Sequence, residues 1–284
     1  MADKQEGWSA TAQAYSSKVA HLTGQGGEVL LSLLASHFPP PDPQTAYILD
    51  AGAGTGVFTK LLSTTYPNIH IHATDFAPSM LSLLQSQNLP NTTTQILDSS
   101  QDHISQGLKA NSFTHAFSTF LIQFLPGESP KTALKEMTRV LVPQTGLLGT
   151  AIWTKSSMHE PWDLACSNLD SEYNPPSASN PFGHVMKNLE SLEDAYREAG
   201  LVDVKSEEKE LWFECESGEE FADYFIDSKN PAFVTMQKGW KGDVQVVRRE
   251  MAKVAREKFG SGEGNGRVRI PMVAGCAVGR KAEG

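Results

Sequence analysis

Short apolar runs alternate with stretches of helical periodicity through the middle of the chain, between residues 46 and 153. Each apolar run has the length of a strand, and the segments between them carry apolar residues at intervals of three and four. This alternation predicts an α/β fold, in which a parallel sheet is covered by helices on both faces. Strands are predicted near residues 46–50, 69–74, 93–97, 113–119 and 147–153, and again at 201–213 and 267–281.

The segment that precedes the core has a helical pattern. Trp8, Ala12, Tyr15 and Val19 recur at intervals of three and four, so they share one face of a predicted helix near residues 9–19. A second helix is predicted over about residues 27–37 and ends before a run of three prolines at positions 39–41. Residues 1–45 are therefore predicted to form a helical arm or lid, and the core domain is predicted to span residues 46–153.

The chain after the fifth predicted strand has a different composition. Residues 154–191 are rich in Ser, Asn and Pro and are predicted to form a substrate cap. Its first part carries Met158, His159 and Trp162, a mixture suited to a mostly apolar pocket with one polar group. Residues 192–284 are predicted to complete the core sheet, with a helical insertion that is interrupted near Pro231.

A glycine-rich loop joins the first predicted strand to the first core helix. The loop has glycine at every second position, Gly52, Gly54 and Gly56, and Ala53 lies between the first two. Glycines allow backbone N–H groups to approach a ligand, and the start of a helix favours an anionic group. A dinucleotide-binding fingerprint G-x-G-x-x-G would place its third glycine at position 57, which is Val57. The loop therefore lacks the spacing for a pyrophosphate.

Two acidic residues narrow the choice of ligand. Asp50 lies two residues before Gly52, where a carboxylate is suited to a cationic or hydrogen-bond-donating group. Asp75 ends the second predicted strand 19 residues after Gly56, which is the usual distance for a carboxylate that binds a ribose diol. Phe76 follows and either stacks on an adenine or packs in the core. Together these residues predict a site for a nucleoside with a charged tail and no phosphates.

These residues resemble the class I S-adenosylmethionine-dependent methyltransferases over about residues 48–153. The resemblance implies a doubly wound, Rossmann-like sheet of seven strands that is mostly parallel, with the last strand antiparallel. It implies S-adenosylmethionine as the cofactor, adenine beside Asp98 and Ser99, and a turn over the cofactor after the fourth strand. The cofactor-binding residues that it implies are Tyr15, Asp50, Gly52, Ala53, Gly54, Gly56, Asp75, Phe76, Met80, Asp98, Ser99, Thr119 and Phe120.

Methyl transfer is an in-line displacement that releases a neutral thioether, so orientation of the acceptor supplies much of the catalysis and a general base is optional. Gln123 lies where relatives often carry a His, and its amide orients an acceptor but takes no proton. His159 is the candidate base, and His184 is a weaker candidate. Because residues 118–125 contain no acid, no metal ion is expected.

Composition limits the acceptor. A net charge of −9 and a pI near 5.4 argue against long nucleic acids. The three cysteines are far apart and indicate free thiols, and neither a signal sequence nor a membrane span is recognisable, so a cytoplasmic location is expected. The sequence favours methyl transfer to O, N or S of a small molecule, in the manner of secondary-metabolite or ubiquinone-type enzymes. The alternatives are a protein of this fold that catalyses a non-methylating reaction or only binds, and a nicotinamide oxidoreductase, which Val57 and Asp50 disfavour.

Overall fold

The computed structural model describes residues 2–175, 186, 188–261 and 266–283. The chain divides into two compact units. The core unit comprises residues 23–154, 182–209 and 274–284, and the helical unit comprises residues 1–22, 155–181 and 210–273. The predicted arm is thus shared between the units, and His184 in the predicted cap lies outside the described residues.

The core unit is built on a seven-stranded sheet in the order β3-β2-β1-β4-β5-β7-β6. The strands are β1 (Tyr47–Ala51), β2 (His70–Asp75), β3 (Thr92–Ile96), β4 (His115–Thr119), β5 (Leu147–Ser156), β6 (Leu201–Cys215) and β7 (Val268–Lys281). Strands β3, β2, β1, β4 and β5 are parallel to one another. Hydrogen bonds from Lys281 N–H to Gly146 O and from Ser157 N–H to Pro271 O are those of an antiparallel β7 beside β5. The predicted fold class is confirmed.

The central strands β1 and β4 are buried over almost their whole length, and this burial includes the polar side chains of Asp50, His115 and Ser118. The helices of the core unit include α2 (Ala20–His37), which begins in the helical unit, α3 (Val57–Thr65), α4 (Pro78–Ser86), α5 (Ser129–Val140) and α7 (Leu189–Glu198). Tyr196 of α7 is fully buried, and its hydroxyl lies 2.8 Å from Thr150 Oγ1 and 3.0 Å from Ala277 O. This phenol therefore ties α7 to two strands of the sheet.

The helical unit contains α1 (Ala2–Lys18), α6 (Glu160–Leu169), α8 (Gly218–Asp227), α9 (Pro231–Gln237) and α10 (Val244–Phe259). Its interior is aromatic: the ring of Phe225 stacks on Trp162 at 5.6 Å and on Phe233 at 4.2 Å between centroids. The predicted interruption near Pro231 is the start of α9, where Asn230 accepts a hydrogen bond from Ala232 N–H. None of the described helices is long and apolar enough to span a membrane.

Candidate cofactor site

The carboxyl ends of β1, β2, β3 and β4 lie along one edge of the sheet because these strands are parallel neighbours. Asp50, Asp75 and Thr119 lie at these ends, and Asp98 follows β3 by two residues. All of these residues belong to the core unit. Ligands of open α/β sheets bind at this edge, near the point where the strand order reverses beside β1.

Backbone hydrogen bonds hold the glycine loop against the end of β2. The N–H groups of Gly52 and Ala53 both donate to Thr74 O at 2.8 Å, and Gly54 N–H donates to Asp75 Oδ2 at 2.9 Å. Gly54 has a φ of 55°, and a methyl group added to its Cα would meet no atom within 4 Å, so the loop faces open space at this point. At Gly52 the same methyl would overlap the side chain of Leu121. The loop is therefore packed on one side and open on the other.

Asp75 is held rigidly at the end of β2. Its two oxygens accept hydrogen bonds from Gly54 N–H and Ala77 N–H, each at 2.9 Å, and its side chain is almost completely buried. Burial raises the pKa of Asp75 to about 6, against the opposing effect of these amides. A carboxylate has about four acceptor positions, so oxygens that already bind amides can still accept hydroxyl groups of a ligand.

Asp50 is fully buried at the end of β1. Its Oδ2 accepts a hydrogen bond of 2.6 Å from the hydroxyl of Thr59 on α3, whereas its Oδ1 has no hydrogen-bond partner among the described residues. Burial raises the pKa of Asp50 to about 7; the Thr59 hydrogen bond lowers it, and the nearby charge of Asp75 raises it. A buried carboxylate oxygen without a donor is costly, which suits a site whose ligand supplies the donor.

The loop after β3 is braced by a glutamine that the sequence analysis did not identify. Gln106 Oε1 accepts from Asp98 N–H at 2.8 Å, and Gln106 Nε2 donates to Asp98 O at 2.9 Å. Asp98 Oδ1 in turn accepts from the N–H and the hydroxyl of Ser100, at 2.9 and 2.6 Å. Ser99 is buried between them in the sequence. This contact joins residues eight positions apart in an irregular loop, so no periodic pattern in the sequence predicts it.

The turn after β4 carries strained backbone. Phe120 has a φ of 56°, its N–H donates to Ala151 O at 2.7 Å, and its ring stacks on Trp153 with 4.1 Å between centroids. Gln123 is 2% exposed, and its Oε1 accepts from Trp153 N–H at 2.6 Å. In the described part of the chain its Nε2 has no hydrogen-bond partner. Gln123 thus braces the turn against β5 and keeps one amide donor available.

The remaining predicted residues are dispersed. Met80 is buried in the first turn of α4, and Phe76 is partly buried directly after Asp75. Tyr15 and His159 belong to the helical unit: Tyr15 packs edge-to-face on Trp8, with 6.3 Å between ring centroids, and His159 is the residue that precedes α6. The Nδ1 atom of His159 is buried and has no partner within the described ranges. The structure thus gathers the predicted core residues at one sheet edge and assigns these two to the other unit.

The carboxylates at this edge of the sheet determine which ligands it can bind. Two buried carboxylates, Asp50 and Asp75, flank an open glycine loop, and within the described residues neither carboxylate forms an ion pair. Such a pair suits a ligand that presents a cation and hydroxyl donors. In the same part of the chain no group of three or more His, Cys, Asp or Glu side chains is arranged to hold a metal ion.

Known proteins share this sequence and fold in part. Residues 48–144 match the family described as a methyltransferase domain. A malonyl-[acyl-carrier protein] O-methyltransferase of Bacillus cereus is 42% identical over 65 residues, which are 22% of this chain and 23% of that protein. The structure of Haemonchus contortus phosphoethanolamine N-methyltransferase 2 with phosphomonomethylethanolamine and S-adenosylhomocysteine aligns with a TM-score of 0.50 and 15% identity, over 90% of this chain and 53% of that chain. The [4+2]-cyclase SpnF aligns with a TM-score of 0.50 and 17% identity, over 93% of this chain and 82% of that chain.

These similarities agree with the site. The sheet order and the helices on both faces are those of the class I methyltransferase fold. The chain spans 23% of the Bacillus relative and 53% of the Haemonchus enzyme. The family match thus falls within the core unit, and the fold of the chain is that of the class I methyltransferases.

The open space beside Gly54 can be tested by substitution. Gly54→Ala should lower the free energy of unfolding by about 1–2 kcal/mol, because an L-residue is disfavoured at this positive φ. It should also weaken binding of S-adenosylhomocysteine, because its methyl group projects into the open space. Gly24→Ala is the matched control: Gly24 lies within helix α2, its nearest contact would be 3.4 Å, and alanine there should raise stability by about 0.5–1 kcal/mol. Urea unfolding and calorimetric titration measure both effects, and equal behaviour of the two variants would contradict the prediction.

Proposed function

We propose that this chain binds S-adenosylmethionine at the sheet edge described above and transfers its methyl group to an O, N or S atom of a small molecule. The observation that carries the proposal is the pair of buried carboxylates, Asp50 and Asp75, on either side of a glycine loop that is open at Gly54. One carboxylate suits the ammonium group of the cofactor, and the other suits its ribose diol. The loop spacing leaves no place for a pyrophosphate between them.

Each residue of the site has a proposed role in holding the cofactor. Asp75 accepts hydrogen bonds from the ribose hydroxyls, and Asp50 Oδ1 accepts from the ammonium group. Asp98, Ser99 and Phe76 lie at the adenine end. The backbone of Gly52, Ala53, Gly54 and Gly56 surrounds the tail, and Met80, Thr119, Phe120 and Tyr15 are proposed to contribute apolar contacts. The bound cofactor supplies an electrophilic methyl group, and the protein contributes by fixing its position relative to the acceptor.

The acceptor is proposed to be small and to react without a metal ion. The acidic net charge of −9 disfavours long nucleic acids, in line with this proposal. Gln123 keeps one amide donor for orienting an acceptor oxygen or nitrogen. His159 is the proposed general base, because its buried Nδ1 has no partner among the described residues. The name of the Bacillus relative refers to an acyl-carrier substrate, but that match covers too little of the chain to identify an acceptor.

Replacement of Asp75 tests the proposed cofactor site. Asp75→Asn should weaken binding of S-adenosylhomocysteine by roughly 10- to 100-fold, because hydrogen bonds to a charged acceptor contribute about 1.5–3 kcal/mol. Asp203→Asn is the matched control, because it makes the same chemical change at an exposed residue that pairs with Arg280. Calorimetric titration measures both variants beside the unchanged protein. Equal affinities for Asp75→Asn and Asp203→Asn, or no binding by the unchanged protein, would refute the proposal.

The role of His159 can be tested separately. With tritiated S-adenosylmethionine and a panel of small alcohols, phenols, amines and thiols, His159→Ala should lower the methylation rate by about 10²–10⁴-fold, because a general base is lost. Its affinity for S-adenosylhomocysteine should stay within about twofold of the original, because His159 has no proposed contact with the cofactor. His70→Ala, at the exposed start of β2, serves as the control. An unchanged rate would remove His159 from the mechanism. Cofactor binding without methyl transfer to any acceptor would instead favour a non-methylating reaction or a binding role.

A further inference from the structure

The hydroxyl of Thr59 makes an unusual contact for a helical threonine. Thr59 is the third residue of α3, it is fully buried, and its Oγ1 donates to Asp50 Oδ2 at 2.6 Å. A threonine hydroxyl inside a helix commonly bonds the carbonyl oxygen four residues earlier, which here is Thr55 O. That carbonyl accepts a hydrogen bond of 2.6 Å from Gln87 Nε2 instead. The Thr59 hydroxyl is thus directed to the carboxylate and not to its own helix.

Helix formation and packing do not require this hydroxyl. Threonine is a weaker helix former than the straight-chain residues, and valine has almost the same shape without the polar atom. A buried hydroxyl is therefore best explained by the group that it contacts. Because Thr59 occupies one oxygen of Asp50, the carboxylate is held in one orientation, with Oδ1 left as its remaining acceptor.

The other neighbours of Asp50 do not offset its charge. In the sheet, Asp50 lies opposite Ala73 on β2 and Phe117 on β4, and neither side chain is ionisable. The charged group that acts on it is Asp75, which disfavours the ionised form, while Thr59 on α3 favours it. Thr59 is thus the side chain that helps Asp50 to stay ionised.

We propose that Thr59 is a positioning residue for the cofactor: by holding Asp50 Oδ2 it keeps Asp50 Oδ1 directed at the ammonium group of S-adenosylmethionine. This inference rests on the proposed function. Because the pKa of Asp50 is raised to about 7, the ionised fraction of Asp50 grows as pH rises through neutrality. Loss of the Thr59 hydrogen bond moves that pKa further up, so the ionised form should require a higher pH.

The test is a titration of Thr59→Val with S-adenosylhomocysteine between pH 6 and pH 9, beside the unchanged protein. The ratio of the two dissociation constants is the useful quantity, because the ionisation of the ligand's own amino group cancels in it. At pH 7 the variant should bind about tenfold more weakly, in line with the loss of a hydrogen bond to a charged group. The ratio should fall as pH rises, because more of Asp50 then ionises without the hydrogen bond, but it should stay above one, because the ionised carboxylate is no longer held in one orientation. Thr59→Ser should restore the original affinity at every pH.

Two further comparisons separate positioning from a general packing effect. Thr138→Val removes a buried helical hydroxyl that donates to the backbone oxygen of Leu134 and not to a carboxylate, and it should leave the affinity unchanged. On an Asp50→Asn background, Thr59→Val should cause no further loss of affinity, because the group through which it acts is gone. Thermal unfolding checks that each variant folds, and Thr59→Ala makes the same comparison if valine is not accommodated.

The outcomes are distinct. An unchanged affinity in Thr59→Val, a ratio of dissociation constants that reaches one at high pH, or a loss that persists with Asp50→Asn would overturn the inference while leaving the proposed function intact. Absence of binding by the unchanged protein would overturn both. A loss of affinity that remains at high pH, that Thr59→Ser reverses and that Asp50→Asn abolishes would establish Thr59 as a positioning residue.

Discussion

The candidate site depends on the attachment of the glycine loop to the end of β2. Three successive amides, those of Gly52, Ala53 and Gly54, donate to Thr74 O and Asp75 Oδ2, so one strand end fixes the path of the whole loop. The same bonds bring the carboxylate of Asp75 close to the charge of Asp50. Glycine favours this path at position 54, where φ is positive, and at position 52, where φ is also positive and Leu121 packs against the backbone. The path of this loop therefore determines the geometry of the proposed cofactor site.

Two buried carboxylates in one site are unfavourable on their own, since burial raises the pKa of both and the charge of Asp75 raises the pKa of Asp50 further. The protein offsets part of this cost with hydrogen bonds: two backbone amides for Asp75 and the Thr59 hydroxyl for Asp50. What remains is an acceptor oxygen of Asp50 without a donor. A cationic ligand would supply that donor, which is why the site is better explained as a binding site than as a structural device.

The sequence was most informative where a feature is local. Short runs of apolar and β-branched residues mark the strands, so all seven strands could be predicted to within a few residues, and Asp50 and Asp75 could be placed at strand ends. Contacts between distant positions left no such pattern. The Thr59 contact with Asp50, the bracing of Asp98 by Gln106 and the bond between Gln123 and the backbone of Trp153 depend on side-chain directions in the folded chain. The boundaries of the helical unit could not be predicted either, because the unit is assembled from three separate segments of the sequence. The predicted roles of Tyr15 and His159 stay predictions.

The account rests on the claim that Asp50 and Asp75 together bind the charged tail and the ribose of S-adenosylmethionine. A crystal structure of the protein grown with S-adenosylhomocysteine tests that claim most directly. We predict that the ribose hydroxyls lie within hydrogen-bond distance of Asp75 and that the amino group lies within hydrogen-bond distance of Asp50 Oδ1. A ligand bound away from both carboxylates, or a site in which Asp50 Oδ1 contacts a protein group instead, would contradict the account.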